Sequence, residues 1–444
     1  MRDHRRLQRA RGGHRADQGP CSRQGTVGGH LRQRRMARLA PGPEGSRPRR
    51  PDRRGEDDRR SGGGRGMTDA IQIALDSFKS AGFAVVDVPV LLPMEDFVRI
   101  SGEEFRRRIF VTSSNNGHDW CLRPEFTIPV VRTMLAAEPA GGRFCYSGRV
   151  FRNGRPGEAD EVWQVGGEIL GDHDPVATDA SALAHAVAIT AACGATRQRI
   201  IVGDVALFSA LLAALDIPPA WRARLTALFG EPDKIADTLA RLEQRRFGFP
   251  SFAAHAEIIE ALSAFPAEKV GQLFADILSI AGVKTVGGRT TGEIAERVLE
   301  QAMLAASDGV PAETIAAIAE FMSMQDENGG DLTIADGVLR LEALSGRIGD
   351  RAPFRAAVDR FKARVAAIAA LGVDLTTLHY AAGFGRRLGY YDGFVFDIHD
   401  ATRVEVGQVS GGGRYDGLVR HFKAADAVKA VGFAVWPERF RRAT

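Results

Sequence analysis

Residues 386–416 read RRLGYYDGFVFDIHDATRVEVGQVSGGGRYD, and no other stretch restricts the fold so tightly. Phe394-Val395-Phe396 is an apolar strand pattern, a polar turn follows around His399–Thr402, and Val404–Val409 alternates again. Two such runs joined by a polar turn predict an antiparallel hairpin. Gly411-Gly412-Gly413 then reads as the turn that closes it, where backbone can approach a ligand or another backbone closely. Arg386, Tyr390, Tyr391 and Asp392 lead into the hairpin. A guanidinium, two phenols and an acid on a sheet suit a zwitterionic small molecule, with Arg386 for its carboxylate and the phenols and the acid for polar nitrogens. A half-buried hairpin with a glycine turn and no ligand is the plain alternative.

The chain's net charge of +4 hides an asymmetry. Residues 1–66 hold 19 arginines, no lysine and 7 acidic residues, a net of +12, so residues 67–444 carry 4 − 12 = −8. An arginine-only segment with Gly and Pro clusters and no aliphatic period cannot bury a core. It is expected to be a disordered extension, the product of a start codon assigned upstream of Met67. A nucleic-acid arm is the other reading of such a basic block. Four cysteines without paired spacing (Cys21, Cys121, Cys145, Cys193) argue against a disulfide framework and a zinc site, and fit a reducing cytoplasm. No HExxH-type pair is present, no apolar run reaches 18 residues, and neither Gly383-Phe384-Gly385 nor the triple glycine has a dinucleotide or P-loop context. No metal, no cofactor and no membrane contact are expected.

From Met67, Thr68 can cap a helix through Phe78 that ends near Gly82. Phe83–Leu91 reads as a strand whose Pro89 confines it to a sheet edge or a subunit interface. Arg108–Thr112 and Trp120–Leu122 pair around Asn115-Asn116-Gly117. Arg143–Arg152 and Val162–Leu170 form a second hairpin, with Gln164 and Glu168 on one face. A helix over Asp179–Ala192 and a strand over Arg199–Val205 follow. Between 216 and 374 the pattern turns to successive Ala/Leu/Glu/Arg-rich helices, including Thr291–Ala306 and Phe354–Leu371, so a helical insertion is expected there. That leaves 67–215 and 375–444 as two parts of one core. The final segment, Ala430–Phe440, reads as a strand leading into a very short helix.

In this order the pieces resemble the catalytic core of class II histidyl-tRNA synthetases. The Pro89 strand is similar to motif 1, Phe151-Arg152 through Gln164 and Glu168 to motif 2, and Gly432–Arg439 to motif 3. Leu122-Arg123-Pro124-Glu125 with Thr127, and Arg386–Tyr391 with the GGGRYDG at Gly411–Gly417, are similar to elements specific to the histidyl enzymes. The resemblance implies an α+β fold, an antiparallel sheet flanked by helices with a helical insertion. It also implies that Glu125, Thr127 and Gln164 hold a histidine ammonium, that Glu168 and Tyr391 (beside Tyr390) face its imidazole, and that Arg386 meets its carboxylate. Carboxylates accept from ammonium and imidazole N–H, and a guanidinium pairs with a carboxylate. Arg152 and Arg439 match the family's ATP arginines.

The synthetase pattern breaks in three places. Motif 2 carries Gly154 where the family has an adenine-contacting acid, and its loop is acidic (Glu158, Asp160, Glu161). Trp436 stands where motif 3 has a small residue, filling the adenine space. The sequence ends five residues after Arg439, so the anticodon-binding domain and tRNA recognition are expected to be missing. A core that keeps the amino-acid pocket without these parts resembles the regulatory subunits of ATP phosphoribosyltransferase. The resemblance implies a non-catalytic protein of histidine biosynthesis that dimerises, assembles with the short-form catalytic subunit and answers to L-histidine. A truncated synthetase-like ligase that activates histidine is the second reading, favoured by Arg152, Arg386 and Arg439. An RNA-binding adaptor, resting on the arginine segment alone, is the third.

Overall fold

Helix α1 (Asp57–Ser80) begins eleven residues before the Thr68 cap expected from sequence and ends where Gly82 turns the chain at φ +80°. The computed structural model describes residues 57–440, apart from 99, 101–102, 114–118, 138–140, 155–158, 386–388, 423–427 and most of 244–309. The bulk of the 1–66 extension and the helix expected over Thr291–Ala306 therefore lie outside the described residues.

After α1 come β1 (Ala84–Val85), β2 (Leu91–Pro93), short helices α2 (Glu95–Val98) and α3 (Glu103–Arg106), β3 (Val111–Ser113) and β4 (Asp119–Leu122). Strands β2, β4 and β3 form a small antiparallel sheet, and the pairing of Ser113 with Asp119 is the one expected around Asn115–Gly117. The Pro89 segment is not one long strand. Ala84 and Val85 pair, parallel to Phe144 and Cys145, at the edge of the large sheet, Leu91 pairs with Leu122 in the small one, and Pro89 lies between the two strands.

Helix α4 (Thr127–Ala137), β5 (Gly142–Phe151), β6 (Glu161–Leu170), α5 (Pro175–Ala192), β7 (Gln198–Asp204) and α6 (Val205–Ala214) build the first part of the core. Asp174 and Asp204 cap α5 and α6 by accepting from backbone N–H groups of the first turn. Helices α7 (Pro219–Ala227), α8 (Pro232–Glu243), α9 (Ala312–Met322), α10 (Ile334–Arg347) and α11 (Ala352–Ala370) follow, with the two-residue β8 (Leu332–Thr333) between α9 and α10. The chain closes with β9 (Leu378–Tyr380), β10 (Phe394–Asp400), β11 (Gln408–Arg414), α12 (Asp416–His421) and β12 (Ala430–Val435).

Nine strands make one sheet in the order β1-β5-β6-β12-β11-β10-β7-β9-β8. Most pairs are antiparallel, but β1–β5 and β7–β9 are parallel, so the sheet is mixed rather than purely antiparallel. One face is covered by α1, α5, α6 and α11, whose apolar stripes share a continuous core with Phe394, Phe396 and Phe433. The helices at 312–370 belong to that core: α11 packs on α5 and α6, and Leu332, Leu341 and Phe361 are buried with Ile200 and Val202. The described part of 216–374 thus has no core of its own.

The triple glycine is not a turn. Gly411, Gly412 and Gly413 lie inside β11, paired with Ala434, Phe433 and Gly432 of β12 on one side and with Asp397, Phe396 and Val395 of β10 on the other. The second hairpin strand accordingly begins at Gln408, after a 3-10 turn over Val404–Val406, and not at Val404. A Cβ on Gly412 would collide with the carbonyl oxygen of Gly432, and one on Gly413 would lie 2.6 Å from that of Phe394. Tight packing of the neighbouring strands requires these glycines, not chain reversal.

Candidate functional site

The face of the sheet opposite α1, α5, α6 and α11, partly covered by α4 and α12, carries the site. Residues in register share a face, so Tyr146, Gly166, Ala434, Gly411 and Asp397 form one row across five strands. Its middle is two glycines and an alanine, which leaves a shallow floor. The next row contains Phe144, Glu168, Gly432, Gly413 and Val395. A Cβ on Gly432 would collide with Glu168 Oε2, so that glycine makes room for the acid.

Over this floor lies a cleft lined by Glu125, Thr127, Arg152, Gln164, Tyr390, Tyr391 and Trp436, with Tyr146 and Phe126. Its volume is about 40 Å³, room for about three waters. Six of the seven histidine-pocket residues expected from sequence lie in or behind the cleft, and the seventh, Arg386, is outside the described residues. Arg152 also lines the cleft; Arg439 lies beside it, its guanidinium 4.9 Å over the ring of Trp436.

The two carboxylates differ in their surroundings. Glu125 sits at the start of α4 and accepts from the backbone N–H of Thr127 at 2.7 Å and of Ile128 at 2.8 Å. It satisfies the orphan donors of the helix N-terminus, where negative charge is favoured. Tyr390 OH donates to it at 3.3 Å. Glu168 lies behind the lining, with three hydroxyls turned to it: Thr127 at 2.8 Å, Tyr146 at 3.0 Å, and Tyr415. Both acids are almost wholly buried, 2% and 1% exposed. All the hydrogen bonds described to either come from neutral donors. Burial pushes each up to about 7; backbone N–H and the Arg152 charge oppose it at Glu125, and the hydroxyl donors oppose it at Glu168. The phenols of Tyr146, Tyr390 and Tyr415 are held well above their usual range by the same burial and by the neighbouring acids.

Sequence reasoning passed over Tyr146 and Tyr415, although Tyr415 stands within the GGGRYD run. Tyr146 stacks on Phe126, centroids 4.3 Å apart, and Arg123 lies over Phe126 at 4.0 Å. Arg123 also donates to the carbonyls of Val88 and Arg149, so the arginine of the Leu122–Glu125 element staples the cleft wall. The matched ATP arginines make bonds within the protein: Arg152 Nε donates to the Pro124 carbonyl at 2.6 Å, and Arg439 Nη1 to that of Gln408. Trp436 is buried at the cleft's end, where its indole takes up space. Such a cleft can take a small ligand bearing an ammonium group against Glu125, with hydroxyls and the Gln164 amide for further polar atoms.

A second buried charge cluster lies under the opposite face. Arg364 of α11 donates to Asp179 of α5 and to Asp204, both at 2.8 Å. Arg414 at the end of β11 donates to the other oxygen of Asp179 at 2.8 Å and to Asp416 at 2.9 Å. Neither arginine nor Asp179 was distinguishable as buried from sequence: Asp179 sits in an alanine-rich helix with no outward mark of a partner.

The histidyl-tRNA synthetase family model matches residues 65–272 and 295–440. The chain is 37% identical to ATP phosphoribosyltransferase regulatory subunits of Brucella ovis and Brucella abortus, over 80% of this chain and 92% of theirs. Among solved structures, an ATP phosphoribosyltransferase regulatory subunit/histidyl-tRNA synthetase from Bacillus halodurans superposes with a TM-score of 0.57 at 16% identity, covering 85% of this chain and 80% of that one. A histidyl-tRNA synthetase from Nostoc sp. PCC 7120 gives 0.53 at 16% identity, covering 85% and 71%. These two support the fold alone. The family match over most of the chain, and the Brucella relatives along nearly their whole length, make this chain a member of the histidyl-tRNA synthetase-like family of ATP phosphoribosyltransferase regulatory subunits.

Proposed function

We propose that this chain is the non-catalytic regulatory subunit of ATP phosphoribosyltransferase, that it binds L-histidine in the cleft over Gly166 and Gly411, and that it acts on the short-form catalytic subunit. One observation carries the reading: the cleft keeps two buried acids among hydroxyl donors while an indole fills its far end. Glu125 and Glu168 are buried among hydroxyl donors, whereas Trp436 closes the cleft and position 154 has no side chain. Arg152 and Arg439, which would favour a histidine-activating ligase, are turned to backbone carbonyls. The exposed apolar side chains Val85, Val90, Leu91 and Val111, on or beside the edge strands β1, β2 and β3 of the two sheets, support self-association through these edges. Among the described residues no helix is long and apolar enough to cross a membrane.

The test is reconstitution. Adding the protein to a short-form catalytic subunit should raise ATP phosphoribosyltransferase activity, L-histidine should lower it, and no histidine-dependent pyrophosphate exchange should appear. Arg386→Ala should weaken histidine binding by about 2–5 kcal/mol, because a ligand carboxylate loses its partner. Pyrophosphate exchange above background would move the chain to the ligase reading, and unchanged histidine affinity in Arg386→Ala would put the effector elsewhere.

A further inference from the structure

Asp392, expected from sequence to meet a ligand nitrogen beside Tyr390 and Tyr391, does not line the amino-acid cleft. Its backbone and its side chain turn instead to one stretch, Arg414–Gly417. The Asp392 N–H donates to the Arg414 carbonyl at 3.1 Å, Oδ1 accepts from the Asp416 N–H at 3.0 Å, and Oδ2 accepts from the Gly417 N–H at 2.6 Å. Hydrogen bonds to an ionised carboxylate are about twice as strong as those between neutral groups. Arg420 stands 3.5 Å from the same Oδ2. The glycine at 417 permits the close approach, because a Cβ there would lie 2.8 Å from Oδ2.

The stretch gripped in this way carries Tyr415. The rings of Tyr390 and Tyr391 lie 4.7 Å apart, and each meets Tyr415 edge-on, at 5.8 and 6.1 Å. Tyr390 OH donates to Glu125 and Tyr415 OH to Glu168, so each buried acid takes a phenol from one packed aromatic group. The segment bearing Tyr390 and Tyr391 leaves Gly389 at φ +77°, a conformation glycine adopts most readily, and enters the sheet at Phe394, which pairs with Asp204. Between those points lie the bonds of Asp392 and the Gly393 carbonyl, which accepts from the Val205 N–H at 3.0 Å.

We propose that Asp392 is a positioning residue of the amino-acid cleft: its carboxylate clamps the 389–392 segment to the end of β11, so that Tyr390 and Tyr391 wall the cleft and Tyr390 reaches Glu125. A binding site keeps its geometry when the groups behind it lock the side chains that line it. Asp392 does this without touching the ligand. The effect on L-histidine rests on the ligand reading above, whereas the placing of the two tyrosines does not.

Tyrosine occurs five times in the chain, at 146, 380, 390, 391 and 415, so fluorotyrosine labelling of the full chain gives one fluorine resonance for each, assigned by single Tyr→Phe changes. Asp392→Asn keeps the shape but sets an amide NH2 against one of the two N–H donors. Gly417→Ala forces a methyl group into the same bond from the α12 side, and it carries the test if Asp392→Asn does not fold. Either variant should shift the Tyr390 and Tyr391 resonances and leave that of Tyr380, packed on Phe361 of α11, in place. L-histidine affinity by calorimetry should fall at least fivefold in the same proteins. Unmoved Tyr390 and Tyr391 resonances would overturn the proposal, and so would moved resonances with wild-type histidine affinity. A shift of all five would make the residue one of general stability and overturn it as well. Failure of the wild-type chain to bind L-histidine would instead count against the ligand reading, with the fluorine resonances still deciding the clamp.

Discussion

The pair Glu125 and Glu168 makes stability depend on pH in a direction opposite to that of ordinary surface acids. Each carboxyl has a usual value of 4.5 and is pushed up to about 7 by burial. Between those values the folded chain holds protons that the unfolded chain has released. Stability therefore falls as pH rises through the window, is fully present below about 4.5 and is lost above about 7. The displacement corresponds to ~3 kcal/mol for each group. Glu168→Gln keeps the shape and the acceptor oxygen toward Thr127 and Tyr146 but removes one of the two titrations. The pH-dependent loss between pH 5 and 8 should then shrink by roughly half relative to wild type. Urea unfolding of both proteins across that range measures it, and the difference between them cancels carboxylates displaced the other way, such as Asp400. The same linkage governs the ligand. An ammonium beside Glu125 favours the ionised acid, so affinity should rise from pH 6 to 8 and binding should release a proton, visible as a buffer-dependent heat in calorimetry. Superimposable pH profiles for Glu168→Gln and wild type, together with no proton release, would refute the reasoning.

Three further outcomes follow from packing and charge. Gly432→Ala drives a methyl group into Glu168 and should cost about 1–3 kcal/mol in urea unfolding, with loss of histidine binding in the same titration. Arg364→Met strips Asp179 and Asp204 of a buried partner and should destabilise by about 3–5 kcal/mol; a change below 1 kcal/mol in unfolding would show the cluster to be relaxed by water. Gly154→Glu with Trp436→Gly should give weak ATP binding by fluorescence or calorimetry without restoring pyrophosphate exchange, since the indole is removed but no catalytic arrangement is added.

How legible the molecule was depended on whether a residue's role was local. Gln164 and Glu168 stand four apart in the β5–β6 hairpin and so fell on one face, and the turn residues Asn115–Gly117 marked β3–β4. Gly411–Gly413 misled because glycine clusters signal turns in sequence, whereas here the neighbouring strands β10 and β12 demand them, a requirement held in residues far along the chain. Strands β8 and β9, of two and three residues, are too short to show a period. The first ten residues of α1 are charged and glycine-rich, so no apolar stripe announced them. Glu125 was legible as an acid near a binding element but not as the cap of α4, and Glu168 was legible as a pocket acid but not as one screened by three hydroxyls.

Arg414 and Tyr415 show how the two sides of the sheet are connected. They are consecutive at the end of β11, and their side chains leave on opposite faces of the sheet. Tyr415 reaches Glu168 beside the ligand cleft, while Arg414 reaches Asp179 among the helices. Asp179 is held in turn by Arg364 of α11, so one carboxylate ties a helix of the 216–374 segment to the strand end that places Tyr415. All three charged groups are 6% exposed or less, and a buried pair is costly to break, so displacement of α11 is resisted or passed on rather than absorbed by solvent. The same strand end fixes Asp392, whose carboxylate accepts from the N–H groups of Asp416 and Gly417 and which follows the Tyr390–Tyr391 wall directly. The helical layer, the cleft floor and the Tyr390–Tyr391 wall of the cleft thus meet within Arg414–Gly417.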